Sequence, residues 1–133
     1  MSKIIFITGA TSGFGKATAE KFAANGYDLI LNGRREDRLE ELCNALERKY
    51  NIASMILPFD VRDEKAVFDA INNLPAEWKK IDILFNNAGL ALGRDYFDEA
   101  DLNDWNIMID TNVKGLLMVS KFALQIMKKQ RIY

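Results

Sequence analysis

Histidine is absent from the 133-residue sequence, and cysteine occurs once, at Cys43. Without histidine, the serine–histidine and cysteine–histidine mechanisms of hydrolases are excluded, as are metal sites that depend on imidazole. A single cysteine excludes an intramolecular disulfide and a metal site built from several cysteines, so no metal site is predicted. Because Cys43 falls on the apolar face of a predicted helix, we expect it to be a core residue.

The sequence also lacks an excess of charge of either sign and any long apolar run. Lysine and arginine number 18 against 19 for aspartate and glutamate, so the net charge of −1 offers no general attraction to nucleic acid or to an anionic membrane. No apolar run approaches the roughly 18 residues of a membrane span, and residues 1–3 lead into a predicted strand without a basic and apolar leader. We therefore predict a cytoplasmic protein that consists of one domain, residues 1–133.

An apolar strand near the start of the chain runs through three glycines into a predicted helix. The loop after the strand reads Thr8-Gly9-Ala10-Thr11-Ser12-Gly13-Phe14-Gly15. Gly9 is expected to turn the backbone out of the strand, Gly13 to leave room for a pyrophosphate, and Gly15 to let the helix pack closely. The unpaired N–H groups of the helix N-terminus would then face the anion. The predicted cofactor-binding residues of this loop are Thr8, Gly9, Thr11, Ser12, Gly13, Phe14 and Gly15; a tight turn without a ligand is the alternative.

Three further strands alternate with helices along the chain. They are predicted at about residues 27–32, 54–59 and 81–85, and Asp63 is placed to cap the third helix. Such alternation predicts an α/β fold, a Rossmann-type doubly wound parallel sheet with strand order 3-2-1-4. The ligand crevice would lie between strands 1 and 4, where the glycine loop meets Asn86-Asn87-Ala88-Gly89.

A pair of arginines follows the second predicted strand, in the run Asn32-Gly33-Arg34-Arg35. Proteins that prefer NAD usually place an acidic residue at this point, against the ribose hydroxyls. A guanidinium can instead bind a 2′-phosphate in a bidentate manner, so Arg34 and Arg35 predict NADP as the cofactor. The alternative is that both arginines simply begin a charged helix.

Four motifs together resemble the short-chain dehydrogenase/reductase family over the entire chain. They are the glycine loop, Asp60-Val61, Asn86-Asn87-Ala88-Gly89 and Thr111-Asn112-Val113-Lys114-Gly115, in the order and spacing of that family. The resemblance implies that Asp60 and Val61 contact the adenine and that Asn112 is the asparagine of the catalytic tetrad. It also implies that the nicotinamide side is lined by Asn87, Ala88 and Gly89. A solvated or back-bonding residue in mid-helix is the alternative for Asn112.

Residues 87–93, 104–105 and 108–112 are similar to the branch of that family that oxidises serine, allo-threonine and related 3-hydroxy acids with NADP, and so imply a small-molecule substrate. The family's catalytic serine and Tyr-x-x-x-Lys pair should follow a fifth strand, which is not found here. Tyr133 comes too early to be that tyrosine and has no lysine four residues on. In the family this lysine lowers the pKa of the tyrosine so that the phenol can exchange a proton with the substrate. We therefore expect the chain alone to be inactive.

Three hypotheses about function stay open on the sequence. The chain is the cofactor-binding part of an oxidoreductase, a nucleotide-binding module without catalysis, or a truncation product that retains only part of the fold. An assay of NADPH oxidation with small carbonyl compounds separates the first from the second. Titration with a dinucleotide separates the second from the third.

The last predicted helix is more apolar than the surface of a small monomer should be. It should be capped by Asp101 or Asn103 and run to about Lys129, with one narrow polar stripe. One side of it can cover the sheet, while Leu117, Leu124 and their neighbours lack a partner, and strand 4 is left with an open edge. Because the corresponding helix of the family packs against its symmetry mate, we predict a homo-oligomer formed through residues 104–129.

Overall fold

Four parallel strands with helices between them make up the computed structural model, which describes residues 2–130. The first half contains β1 (Ile4–Ile7), α1 (Gly13–Ala24), β2 (Asp28–Gly33), α2 (Glu36–Tyr50) and β3 (Ser54–Pro58). The second half contains α3 (Glu64–Asn72), β4 (Ile83–Phe85), α4 (Leu102–Ile109), a π-helical segment (Asp110–Gly115) and α5 (Leu116–Lys129). Short 3₁₀ turns lie at Ala76–Lys79 and Phe97–Glu99. The sheet order is β3-β2-β1-β4, which confirms the predicted α/β fold and strand order.

The central strand β1 is buried along its whole length because helices cover both faces of the sheet. Side chains alternate between the two faces of a strand. Ile5 and Ile7 pack with residues of α1 and α2 on one face, including the predicted core residue Cys43. Ile4 and Phe6 pack with residues of α3 and α5 on the other face. The two cores on either side of one sheet make the fold doubly wound.

The N-terminal caps of two helices follow the sequence prediction. The Asp63 carboxylate accepts a hydrogen bond from the Ala66 N–H at 3.1 Å and begins α3. The Asp101 carboxylate accepts one from the Asn103 N–H at 2.8 Å and begins α4. Both carboxylates satisfy a backbone donor that the first helical turn leaves unpaired.

The predicted long helix to about Lys129 is present, but its middle is wound as a π-helix. The π-helical segment Asp110–Gly115 separates α4 from α5. Thr111 and Gly115 are both buried in this segment, and a Cβ atom on Gly115 would come within 2.7 Å of the Val61 side chain. A π turn contains one more residue than an α turn, so it changes which side chains of the helix face the sheet. In this segment the residue that faces Val61 is Gly115, which has no side chain.

The side of the sheet beyond β4 is open in the part of the chain that the structure describes, since β4 pairs there with β1 alone. Its residues are half-buried, although Leu84 packs against the core on one face of the sheet and Ile83 and Phe85 against the core on the other, because an edge strand has a neighbour on one side only. On α5, Leu117 is 60% exposed and Leu124 49% exposed, as predicted. Tyr133 lies outside the described residues. Within residues 2–130, no helix combines the length and the apolar character needed to cross a membrane.

Candidate functional site

A cleft of about 410 Å³ lies at the carboxyl ends of the strands, where parallel sheets of this type bind their ligands. It is bounded by the glycine loop, the ends of β2 and β3, the loop after β4 and the π-helical segment. The predicted site residues that line it are Gly9, Thr11, Ser12, Gly13, Phe14, Arg34, Asp60, Val61, Asn87, Ala88 and Gly89. The lining also contains Thr111, so the cleft brings together residues from all four sequence motifs.

Thr8 connects the ends of β1 and β4. Its side-chain hydroxyl accepts hydrogen bonds from the backbone N–H groups of Asn87 and Ala88, both at 2.9 Å. The Asn87 amide returns a bond to the carbonyl oxygen of Gly9 at 3.1 Å. Thr8 itself is fully buried. The predicted meeting of the two loops is thus made by direct hydrogen bonds.

Asn32, the next-to-last residue of β2, connects the glycine loop to β3. Its side-chain oxygen accepts a bond from the Gly9 N–H at 3.3 Å, and its amide donates to the carbonyl oxygens of Leu57 and Phe59 at 3.0 and 3.1 Å. The side chain is 1% exposed and uses both ends of its amide group. It holds the glycine loop in a fixed position relative to β2 and β3.

The close approach predicted at Gly15 is present. A Cβ atom there would overlap the Gly9 carbonyl oxygen and would lie 2.6 Å from the Asn87 side-chain nitrogen. Gly13 has φ of +54°, and a Cβ on it would meet no atom within 4 Å among the described residues. The first turn of α1 carries no acidic residue, and Ser12 makes no side-chain capping bond within the same part of the chain. The N-terminus of α1 therefore offers donors and a positive dipole end to an anion.

The two predicted arginines are placed differently. Arg34 is exposed and lines the cleft. Arg35 is the N-terminal cap residue of α2, and its guanidinium lies 3.7 Å from the Asp37 carboxylate. The position of Arg35 fits the alternative interpretation, in which an arginine simply begins the charged helix, and the cofactor contacts predicted for both arginines stay predictions.

Asp60 is paired with a residue that the sequence analysis did not single out, Arg62. The Arg62 guanidinium donates to both carboxylate oxygens of Asp60, at 2.7 Å from Nη2 and 3.1–3.2 Å from Nε. These bonds lower the pKa of Asp60 below its ordinary value despite partial burial. Asp60 and Arg62 both line the cleft. The ion pair therefore keeps the Asp60 carboxylate ionised and fixed in position at the cleft. Its position directly after Asp60-Val61 was the available sequence signal.

Asn112 fastens the loop after β4 to the π-helical segment. Its side-chain oxygen accepts from the Leu90 N–H at 2.9 Å, and its amide donates to the Leu90 carbonyl at 2.8 Å. The back-bonding alternative is therefore wrong, because the partner is 22 residues away. The catalytic role implied for Asn112 stays a prediction.

Four predicted residues do not belong to the cleft lining that the described residues form: Thr8, Gly15, Arg35 and Asn112. Thr8, Gly15 and Asn112 instead contact residues that do. Several further residues belong to the lining but were not predicted as site residues: Asn32, Gly33, Phe59, Arg62, Leu90 and Thr111. Most of these are immediate neighbours of predicted residues, so a motif can locate this site better than it can assign each side chain.

Comparison with known proteins agrees with the geometry. The chain is 51% identical over 124 residues to sulfoacetaldehyde reductase 2 of Chromohalobacter salexigens, a match of 93% of this chain and 48% of that protein. It is 45% identical over 121 residues to the NADP-dependent 3-hydroxy acid dehydrogenase YdfG of Escherichia coli K12, a match of 91% and 47%. A solved serine dehydrogenase in closed form, complexed with NADP⁺, superposes with a TM-score of 0.86 at 42% identity and covers 96% of this chain and 50% of its own.

The chain spans about half the length of the curated relatives it matches. The sequence model of the short chain dehydrogenase family matches residues 3–132. Since one family model accounts for nearly every residue, the chain belongs to the short-chain dehydrogenase family.

Proposed function

We propose that these 133 residues form the NADP-binding part of an oxidoreductase that transfers a hydride between NADP and an alcohol or carbonyl substrate. The observation that carries the proposal is the cleft, in which the glycine loop, Asp60-Val61 and the loop after β4 meet beside an unobstructed helix N-terminus. The names of the relatives support NADP and point to 3-hydroxy acids or sulfoacetaldehyde as the substrate class.

The residues present fit a dinucleotide with an extra phosphate. Backbone N–H groups at the start of α1 would hold the pyrophosphate, and Arg34 would hold the 2′-phosphate. A neighbouring cavity of about 430 Å³ shares Thr11 with the cleft and is lined by Lys16 and Arg38 together with Glu41, Leu42 and Ala45. The positively charged side chains that line the two cavities favour the binding of an anion near Thr11, although the chain as a whole is almost neutral. When bound, the nicotinamide supplies or accepts the hydride.

The role of Arg34 is tested by titrating the chain with NADP⁺ and NAD⁺ in a calorimeter. A charged hydrogen bond to the phosphate should favour NADP⁺ by about ten- to a hundredfold. Arg34→Ala should remove this preference. Arg35→Ala is the matched control and should retain it, because Arg35 lies outside the cleft lining and near Asp37. Equal affinity of the unaltered chain for both dinucleotides would contradict the proposal.

Catalysis by these 133 residues alone is not part of the proposal. The sequence contains no Tyr-x-x-x-Lys, which is the family's proton-transfer pair. We expect NADP binding without sustained turnover of a 3-hydroxy acid or carbonyl compound. Turnover by the purified chain would contradict this expectation if the Gly13→Trp variant lacks the activity, since that control excludes a contaminating enzyme. A nucleotide-binding module without catalysis would also bind NADP without turnover. Failure to bind any dinucleotide would favour the hypothesis of a truncation product.

We also propose that two copies associate through α5. The support is the exposure of Leu117 and Leu124 on one helix, together with the edge of β4 that is open within residues 2–130. Sedimentation at micromolar concentration should then show a dimer or larger species. Leu117→Lys should shift it towards monomer, whereas Leu102→Lys, at an exposed leucine outside residues 104–129, should not. A stable monomer of the unaltered chain would show that this face needs no partner.

A further inference from the structure

Thr111 carries a buried hydroxyl without a hydrogen-bond partner. The residue is 6% exposed, and within residues 2–130 its Oγ1 is the one buried side-chain oxygen or nitrogen for which the structure shows no partner. The other two buried polar residues, Thr8 and Asn32, are hydrogen-bonded through their side chains. Native proteins rarely leave a buried hydroxyl unpaired, so the exception needs an explanation.

The position of Thr111 indicates what this hydroxyl could bind. Thr111 lines the cleft, in the π-helical segment, and turns of this kind are frequent at functional sites. One turn further on, Gly115 lies directly against Val61. Asp110 is the residue before Thr111, and its negative charge, like that of Asp60, raises the pKa of the Arg62 guanidinium. Thr111 is therefore bracketed by residues that face the Asp60–Arg62 end of the cleft.

We propose that the Thr111 hydroxyl forms a hydrogen bond with the adenosine half of bound NADP. The proposal rests on the proposed function, in which Arg34 holds the 2′-phosphate of the adenosine half. Arg34 lines the same cleft and lies near enough to Asp60 for its charge to help lower the pKa of that carboxyl. A hydroxyl both donates and accepts, so it can pair with a ring nitrogen of the base or with a ribose hydroxyl. In the structure the Oγ1 atom is closed off from solvent, so the contact requires the side chain to turn about χ1, between the rotamers that a helical threonine adopts, and to bring the hydroxyl to the cleft surface. Without the ligand the hydroxyl is unpaired, and with the ligand it is satisfied. Thr111 is thus a binding residue and not a member of the structural network around Thr8 and Asn32.

Thr111→Val tests the proposal because valine keeps the branched shape and removes only the hydroxyl. The chain and the variant are titrated with NADP⁺ and with adenosine 2′,5′-bisphosphate, which lacks the nicotinamide half. Dissociation constants for both ligands should rise by about three- to tenfold. Thr111→Ser keeps the hydroxyl and should stay close to the unaltered chain. Thr18→Val is the matched control, since Thr18 lies on α1 outside the cleft lining.

Urea denaturation without ligand provides the second measurement. If the hydroxyl is unpaired in the free protein, Thr111→Val should leave the midpoint unchanged or raise it. A lower midpoint with unchanged dissociation constants would mean that a buried water satisfies the hydroxyl, and the proposal would be wrong. Weaker binding of NADP⁺ alone, with the bisphosphate unaffected, would overturn the assignment to the adenosine half. If the unaltered chain binds neither ligand, the proposed function itself fails and this proposal fails with it.

Discussion

Replacing Thr8 by valine removes the hydroxyl that connects the ends of β1 and β4 and keeps the shape of the side chain. In the structure this oxygen accepts from two backbone N–H groups, those of Asn87 and Ala88, at 2.9 Å each. Thr8 is fully buried, so water cannot take the place of the hydroxyl at its own position. We expect both N–H groups to lose their partner in Thr8→Val.

The size of the effect follows from the number of donors. A buried polar group left unpaired costs about 1–3 kcal/mol, and two donors together would cost about 2–6 kcal/mol. Asn87 and Ala88 are half-buried and can regain part of this from solvent, so we expect about 2–4 kcal/mol. With a urea dependence of about 2 kcal/mol per molar, the unfolding midpoint should fall by about 1–2 M with an unchanged slope.

Urea denaturation followed by circular dichroism measures the change. Thr8→Ser is the control, because it keeps the hydroxyl and loses one methyl group, at about 1 kcal/mol. Equal, small losses in both variants would show that the two hydrogen bonds do not stabilise the fold. Weaker NADP binding by Thr8→Val at unchanged stability would instead show that Thr8 contacts the cofactor directly, as the sequence predicted.

Three further predictions concern other parts of the fold. Gly15→Ala should destabilise the chain by about 1–2 kcal/mol in the same urea assay, because the overlap of the new Cβ with the Gly9 carbonyl outweighs the better helix propensity of alanine; an increase in stability would contradict this. Arg62→Leu should raise the pKa of Asp60 towards its ordinary value. The lowered pKa stabilises the fold fully at any pH above the ordinary pKa, and this stabilisation is lost as the pH falls towards and through the lowered pKa, so urea denaturation should show a larger loss of stability in the variant at pH 7 than at pH 3. Cys43 is 7% exposed and burial raises the pKa of its thiol, so Ellman's reagent should modify it rapidly in urea and only slowly in the folded chain, and fast modification without urea would show that α2 opens readily.

Much of the fold could be predicted because its signals are local. The apolar run of β1, the glycines after it and the alternation of strands with helices predict a parallel sheet, and the right-handed crossover leaves few possible strand orders. The Asp63 cap is likewise a contact between residues three positions apart. Helix and strand boundaries were less exact, as at β4, since an edge strand has only one neighbour to define its ends.

The cleft could be located from the sequence because three of the motifs, and the arginine pair after β2, follow strands that end on the same side of one sheet. The composition also determined which chemistry was excluded, since the absence of histidine does not depend on how the chain folds. Arg34 was identified as a side chain at a strand end whose charge matches a 2′-phosphate, whereas Asp60 was identified through the resemblance to the family.

Only the tertiary structure decided how the individual side chains of the cleft are used. Thr8 and Asn87 are 79 positions apart, and Asn112 and Leu90 are 22 apart, so no local pattern contains both partners of either contact. The same holds for Gly115, whose need to lack a side chain comes from Val61 in another segment. Thr111 looks like an ordinary helical threonine until the packed π turn buries its hydroxyl and surrounds it with groups that do not bond to it. Hydrogen bonding and steric exclusion act over a few ångströms in space. The number of residues between two positions does not give their distance in space, which is set only when the sheet and helices pack.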